Sequence, residues 1–406
     1  MPKRHNGEGS VYKMDGRWRG YVWVTTPGGR RTRKYVRGDT RADVVTQLTK
    51  ISAASAIAPV AVGSPTVEQY FRGWLEDVVR PTLAPTTVLN YDLFIRLYIV
   101  PSLGRKHLDR LSLRDVQTWV NKLRITCQCC AQGKDERREK KRCCSAGKCC
   151  QQFPKDWTVR QAWAVLRAGL AQAVREEMIT RNVAGMVRMP VPRSEKQTVW
   201  SVDDVRTFLE ASLSSRDSFH AAYVLMLVLG LRRGELLGLA WEDVDLERGE
   251  ARIRWQIQRI SGQLTRRRTK TASSEAVLPL PDICIDALKA HRAMTNRWKL
   301  KAGEAWHDTD LVFTTKFGLP IDPRNFNRSF KKRTESSGVP VIPVHSTRRT
   351  CASLLVELGV HPRVAMAIMR HSQISVTMNI YSQVASSSAR EALANLGSRL
   401  AEGGHS

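Results

Sequence analysis

The sequence predicts a multidomain protein, mainly α with small β-sheets, and three observations carry that expectation. Residues 8–37 alternate in a strand-like way between turn pairs, residues 66–187 are dominated by helical patterns, and from Ser201 onward helices mix with strand-like runs. A chain of 406 residues with 42% hydrophobic content and 11 tryptophans has the material for two or three domains, each with its own core.

The first expected element is a three-stranded antiparallel sheet. Ser10–Tyr12, Trp18–Val24 and Arg31–Val36 are separated by turn signals at Asp15-Gly16 and Pro27-Gly28-Gly29, and a helix from about Thr40 to Ser52 follows. Arg, Lys, Tyr and Trp crowd this sheet, a mixture suited to DNA; the aromatics would equally serve to cover the helix, and a sheet has a face for each. Ala53 to Pro65 is small, apolar and without periodicity, and reads as a linker.

Helical patterns then run over Thr66–Val79, Ala84–Ile99, Ser112–Leu123 and Thr158–Glu177, with a short piece near Asn182. Pro65-Thr66-Val-Glu68 and Ser112-Leu-Arg-Asp115 look like helix starts. Met189-Pro-Val-Pro192 is a stiff connector into a larger mixed region. There, a helix to about Ala211 precedes an apolar helix, Phe219–Leu229. Glu250–Ile260 and Val277–Leu280 are strand-like around a basic stretch, and the chain from about Pro281 is again mostly helical. The expected domains are 1–58, 64–190 with a Cys-rich insertion at 127–150, and 196–396.

Charge narrows the partner. Lys and Arg number 65 against 38 acidic residues, a net +27, with a pI near 10.2. Such an excess suits a polyanion, and for a soluble protein that means nucleic acid. The opening Met-Pro-Lys-Arg-His-Asn-Gly lacks the apolar stretch of a signal peptide, and the longest apolar run, Ala221 to Leu231, is about half a membrane span. A cytoplasmic protein with no membrane partner is expected. Seven of the nine cysteines lie in residues 127–150, a clustering that in a reducing compartment reads as metal binding or free thiols.

Six side chains stand out together. Arg232 lies in Gly-Leu-Arg-Arg-Gly-Glu at the end of the apolar helix, with Glu235 near enough to orient it. Lys270 lies in a basic hairpin, and His345-Ser-Thr-Arg348, His371 and Tyr381 follow near the C-terminus. His345 and Arg348 are three apart, so a helix would put them on one side. Cations can neutralise the non-bridging oxygens of a phosphodiester, a phenol can attack it, and an ammonium can protonate the leaving oxygen. Because a phenol has a pKa of about 10, neighbouring cations are expected to ease formation of the phenolate.

This series resembles the tyrosine recombinase (phage integrase) family in its arm-binding, three-domain form, over nearly the whole chain. The family shows a Gly-Leu-Arg-x-x-Glu segment, a hairpin Lys, a His-x-x-Arg box, and a Gly-His segment with a Tyr ten residues after that His. The resemblance implies that Arg232, His345, Arg348 and His371 bind the scissile phosphate. By the same likeness Lys270 is the general acid, and Tyr381 the nucleophile giving a 3′-phosphotyrosyl link and a free 5′-hydroxyl. It implies an N-terminal arm-type DNA-binding domain, a helical core-binding domain and a mixed α/β catalytic domain. Four protomers would act on two duplex attachment sites, with no cofactor for the chemistry, and with an accessory excisionase or host DNA-bending protein as possible partners. Departures from the pattern are Arg349 where a second His is common, Ala276 where Arg is frequent, and Arg370 where Gly precedes the His.

Three alternatives remain at this point. A metal-dependent nuclease needs convergent carboxylates, for which Asp243 and Asp245 are present without an obvious third. A non-catalytic DNA-binding regulator would explain the charge but not the Arg–Lys–His–Arg–His–Tyr series. A chromosome-dimer-resolving recombinase would lack the N-terminal sheet. Separately, Cys127-x-x-Cys130 and Cys144-x₄-Cys149 can supply four thiolates to a structural Zn²⁺; exposed, unpaired thiols are the other possibility.

Overall fold

Asp15 and Gly16 both take positive φ, 53° and 75°, as a two-residue hairpin loop requires. In this computed structural model, which describes residues 10–25, 31–57, 64–190, 198–269, 276–370, 373–375, 377, 378 and 381, they join β1 (Ser10–Met14) to β2 (Arg17–Thr25). Strand β3 (Arg31–Gly38) completes an antiparallel sheet of order β1-β2-β3. The Pro27-Gly28-Gly29 turn falls outside the described residues.

Alternation sorts this sheet into two faces. Val22, Val24 and Val36 pack with Val44 and Leu48 of helix α1 (Arg41–Ile57). On the other face Arg33 lies 4.7 Å from the ring centres of both Tyr21 and Trp23. Valines therefore cover the helix and leave aromatics and guanidiniums outside. Helix α1 also runs past Ser52 to Ile57, so the first part of the expected linker is helical. Its Ala53-Ala54-Ser55-Ala56 run lacks periodicity but has strong helix formers, and propensity wins there.

The helical region begins with α2 (Val67–Trp74), closed at its start by a Thr66–Gln69 capping box. A π-helical turn, Leu75–Val79, leads into α3 (Arg80–Thr82). Helix α4 (Pro85–Phe94) repeats the device, passing through a π turn at Ile95–Ile99 into α5 (Val100–Leu103). Then come α6 (Leu113–Ile125), capped by Ser112 and Asp115, the short α7 (Gln128–Ala131) and the long α8 (Asp156–Arg175). Phe71, Trp74, Trp119, Leu166 and Leu170 belong to their shared core, and residues 127–150 form an insertion between α6 and α8.

The chain forms two compact units, Met1–Ser194 and Glu195–Ser406. The second unit starts with α9 (Val202–Ser214), capped by Ser201 and Asp204, and the apolar α10 (His220–Val228), whose residues Ala221 to Leu227 are all buried. Trp200, Phe208, Tyr223, Phe326 and Phe330 meet in its core, so α10 is the hub that other elements pack around. Helix α11 (Arg233–Gly238) follows at once.

Strands β4 (Val244–Asp245), β5 (Glu250–Ile253) and β8 (Ala276–Pro279) make one sheet, and β6 (Trp255–Ile260) pairs with β7 (Gln263–Arg268) in a separate hairpin. The strand-like run Glu250–Ile260 is thus two strands in different sheets. The break is at Arg254, whose Nε lies 2.6 Å from a carboxylate oxygen of Asp243. Helices α12 (Asp282–Ala302), α13 (Pro323–Ser336), α14 (Ser346–Glu357) and α15 (Pro362–Met369) complete the unit. Among the described residues no helix is long and apolar enough to cross a membrane.

Helix α11 rests on the β6–β7 hairpin through Gly238. A Cβ there would come within 2.7–2.9 Å of the Gln256 backbone, which cannot yield as a flexible side chain would. Gly238→Ala is expected to cost about 1–3 kcal/mol by overpacking, read as a lowered urea midpoint with an unchanged slope; an unchanged midpoint would show that the helix and hairpin do not press together there.

Candidate active site and cysteine cluster

The Arg232 segment begins where α10 ends. Gly230 turns the chain with φ +59°, a conformation that favours glycine, and Arg232 becomes the residue that caps α11. Its backbone N–H donates to Glu235 Oε2 at 3.0 Å and its Nη1 to Glu235 Oε1 at 2.7 Å. Arg370 Nη2 donates to Glu235 Oε2 at 2.7 Å from the far side. Glu235 is 3% exposed and the Arg370 side chain 1%, whereas that of Arg232 remains 39% exposed. Burial alone would raise the Glu235 carboxyl, but Arg370 and Arg232 outweigh it and hold the group below its usual range.

Arg348, on α14, is also buried. Its Nη1 donates to the Gly230 carbonyl at 2.5 Å, and its Nη2 donates to the Met369 carbonyl. Desolvation, with Arg232 and Arg370 close by, pushes its guanidinium down to about 9. Three guanidiniums therefore gather around one carboxylate. The locality is short of negative charge, as an anion site should be.

His345 stands at the N-cap of α14. It is exposed whereas Arg348, three residues on, is buried, and its backbone already has helical dihedrals, φ −67° and ψ −22°. Arg232, Arg233, Asn327, Pro343 and His345 line a cavity of about 340 Å³. The His345 ring reaches solvent, yet desolvation by its surroundings, then Arg348, Arg349, Arg232 and Arg233, hold it below its usual value. It should act as a neutral hydrogen-bond partner rather than a cation. In the DNA-free protein an NMR titration is expected to place its midpoint below about 6.5; a midpoint above that would mean an unseen carboxylate governs it. The sign follows: below the unfolded value, protonation disfavours the folded state, and that penalty fades as pH rises.

Tyr381 is placed differently. Its hydroxyl donates to the carbonyl of Val360, just beyond α14, and burial raises its phenol above the usual range. Among the described residues the group facing the hydroxyl is a carbonyl rather than a cation. Lys270 and His371 lie outside the described residues. The hairpin leading to Lys270 is described, and Arg266 and Arg268 stack on Trp255 at 4.8 and 5.7 Å.

Two residues were missed from sequence. Arg370 was noted only for its backbone; it does adopt the left-handed conformation, φ +50°, but its side chain also completes the Glu235 pair. Asn327 accepts from Arg233 Nη1 at 2.9 Å beside the cavity. The only available signal was Glu235 itself, a carboxylate among leucines that had to find partners. Asp243 is ion-paired with Arg254, and Asp245 accepts the N–H groups of Glu247 and Arg248. Both carboxylates expected of a metal-dependent nuclease are already engaged.

In the insertion, the sulfurs of Cys127, Cys130, Cys144 and Cys149 all lie within 4.8 Å of one another. Those of Cys129, Cys143, Cys144 and Cys150 do the same. Asp135, whose side chain is 1% exposed, holds the loop: it accepts N–H groups from Arg142, Cys143 and Ser145, each at 3.0 Å, and Arg138 Nη1 at 3.1 Å. These bonds keep its carboxyl far below the usual range. Tetrahedral thiolate coordination is what such a donor set fits.

Comparison with known proteins agrees with this architecture. The profile described as the phage integrase family matches residues 199–388, and that of the phage integrase N-terminal SAM-like domain matches residues 66–124. A XerC-like tyrosine recombinase of Caldanaerobacter subterraneus subsp. tengcongensis is 28% identical over 338 residues, 79% of each chain. An integrase of Saccharopolyspora erythraea is 25% identical, with 92% of each chain covered. In fold, the chain is similar to the Tn1549 transposon integrase in complex with transposon right-end DNA, with a TM-score of 0.63 at 20% identity over 82% of this chain and 99% of that one. It is also similar to a lambda integrase dimer bound to a core site, with a TM-score of 0.51 at 15% identity over 94% of this chain and 96% of that one. With two family profiles matching in order, and relatives aligned along most of its length, the chain belongs to the phage integrase family of tyrosine recombinases.

Proposed function

We propose that the protein is a site-specific DNA recombinase, an integrase of a phage or other mobile element, that breaks and rejoins duplex DNA through a 3′-phosphotyrosyl intermediate. The observation that carries this reading is the gathering of Arg232, Arg348 and Arg370 around the single carboxylate of Glu235, beside a cavity that His345 lines. A scissile phosphate entering there would supply the missing negative charge. Arg232 is the exposed guanidinium that reaches it, Arg348 adds field from behind, and His345 donates a hydrogen bond. These fixed groups meet the extra charge of the pentacoordinate phosphorane better than that of the ground state.

In this scheme Tyr381 attacks, Lys270 protonates the leaving 5′-oxygen and His371 completes the phosphate contacts. The phosphotyrosyl bond conserves the energy of the broken ester, so strand rejoining needs no external energy source. Residues 196–396 do the chemistry and 64–190 grip the core site. The aromatic and arginine face of 1–58 contacts arm-type DNA. The assembly is a homotetramer acting in the cytoplasm on two attachment sites, with an excisionase or a host DNA-bending protein setting direction. A nicked suicide substrate carrying the cognate site is expected to trap a covalent protein–DNA species. DNA binding without any such species would leave a non-catalytic regulator.

The insertion is proposed to hold Zn²⁺ through Cys127, Cys130, Cys144 and Cys149. Zn–S bonds would staple a loop otherwise too short of apolar residues to fold. Chelation is expected to open residues 127–150 to protease while leaving the 196–396 region resistant; equal resistance with and without chelator would retire the zinc.

A further inference from the structure

We propose that the insertion binds two Zn²⁺ ions, not one, in a seven-cysteine cluster with Cys144 as the bridging thiolate. The inference extends the single-zinc reading above and depends on its first site. Cys127, Cys130, Cys144 and Cys149 hold one ion; Cys129, Cys143, Cys144 and Cys150 hold the other.

Corner counting leads to this arrangement. Two tetrahedra that share one corner need seven distinct ligands, and residues 127–150 contain seven cysteines. The two quartets in the structure overlap in Cys144 alone. With Zn–S near 2.3 Å, sulfurs on one tetrahedral zinc should lie about 3.8 Å apart. Cys127–Cys144 at 3.9 Å and Cys130–Cys149 at 3.8 Å meet that in the first quartet. Cys129–Cys143 at 3.8 Å and Cys144–Cys150 at 3.6 Å meet it in the second. The sites also touch, with Cys127 and Cys150 at 3.8 Å. These separations are nearly twice a disulfide bond of about 2.05 Å.

A single zinc would leave Cys129, Cys143 and Cys150 as free thiols pressed against it without purpose. The second site has its own scaffolding, because the Asp135 carboxylate fixes the backbone of Arg142, Cys143 and Ser145. An all-sulfur, tetrahedral donor set selects zinc over harder ions. Each thiol gives its proton to solvent as its Zn–S bond forms, and no oxidation state changes. Two dications with seven thiolates leave the cluster anionic, and the same loop carries seven basic residues against three acidic ones to offset it.

The test is metal counting on the full-length chain. Elemental analysis and native mass spectrometry are expected to give two zincs per chain, and Co²⁺ titration of the apo protein should reach its tetrahedral-thiolate endpoint at two equivalents. Cys129→Ser and Cys130→Ser should each drop the count to one, from opposite sites, and Cys144→Ser should weaken both. One zinc that Cys129→Ser leaves unchanged overturns the bridged cluster while the single site stands. No zinc, or a mass deficit showing disulfides, overturns both.

Discussion

Tyr381→Phe is expected to abolish the covalent DNA adduct, lowering strand cleavage on the order of 10⁴-fold or more, as loss of a covalent nucleophile does. The phenyl ring keeps the volume, and the hydroxyl's bond to Val360 contributes on the order of 1 kcal/mol, so folding and DNA retardation in a gel should persist. The geometry adds a second expectation. The hydroxyl sits on a carbonyl acceptor and burial holds the phenol above its usual range, so it must leave Val360 before it can meet a phosphate held by Arg232. Trapping on a suicide substrate should therefore be slower than DNA binding itself. An adduct that survives the Phe substitution would assign the attack to another residue.

Local chemistry was the legible part of this chain. Thr66 with Gln69, Ser112 with Asp115 and Ser201 with Asp204 each close a capping box within one helical turn, and a hairpin at Asp15-Gly16 needs only two residues that accept positive φ. The π turns at Leu75–Val79 and Ile95–Ile99 left no such mark, because one extra residue in a helical turn barely disturbs apolar spacing. In the site, Arg232 and Glu235 are three residues apart and could be read together. Arg370 reaches the same carboxylate across 135 residues of sequence, and only the packing of α11, α14 and α15 makes it a neighbour. The cysteines lie between these cases. Their clustering was visible, and so was one quartet, but the sharing of Cys144 depends on the path of a loop held by Asp135.

Glu235→Ala is expected to be the most destabilising of the substitutions considered, by about 3–5 kcal/mol, the usual cost of breaking a buried ion pair from one side. Arg232 is exposed enough to turn toward water, so the cost falls on Arg370, whose side chain is 1% exposed and keeps an unmatched charge. Adding Arg370→Gly should recover most of the loss. It removes the stranded guanidinium and places at φ +50° the residue that this conformation favours. A double variant no more stable than Glu235→Ala would show that Arg370 was not the source. The pH dependence has a definite sign. The folded-state pKa of Glu235 is depressed from its ordinary 4.5, so its contribution is complete above that value and is lost as pH falls through the folded pKa. Wild type should therefore lose stability on acidification more steeply than the double variant. Strand cleavage should separate the two roles of the carboxylate: the double variant regains its fold, but Arg232, without Glu235 to hold it at 2.7 Å, should still cleave about 10²-fold more slowly.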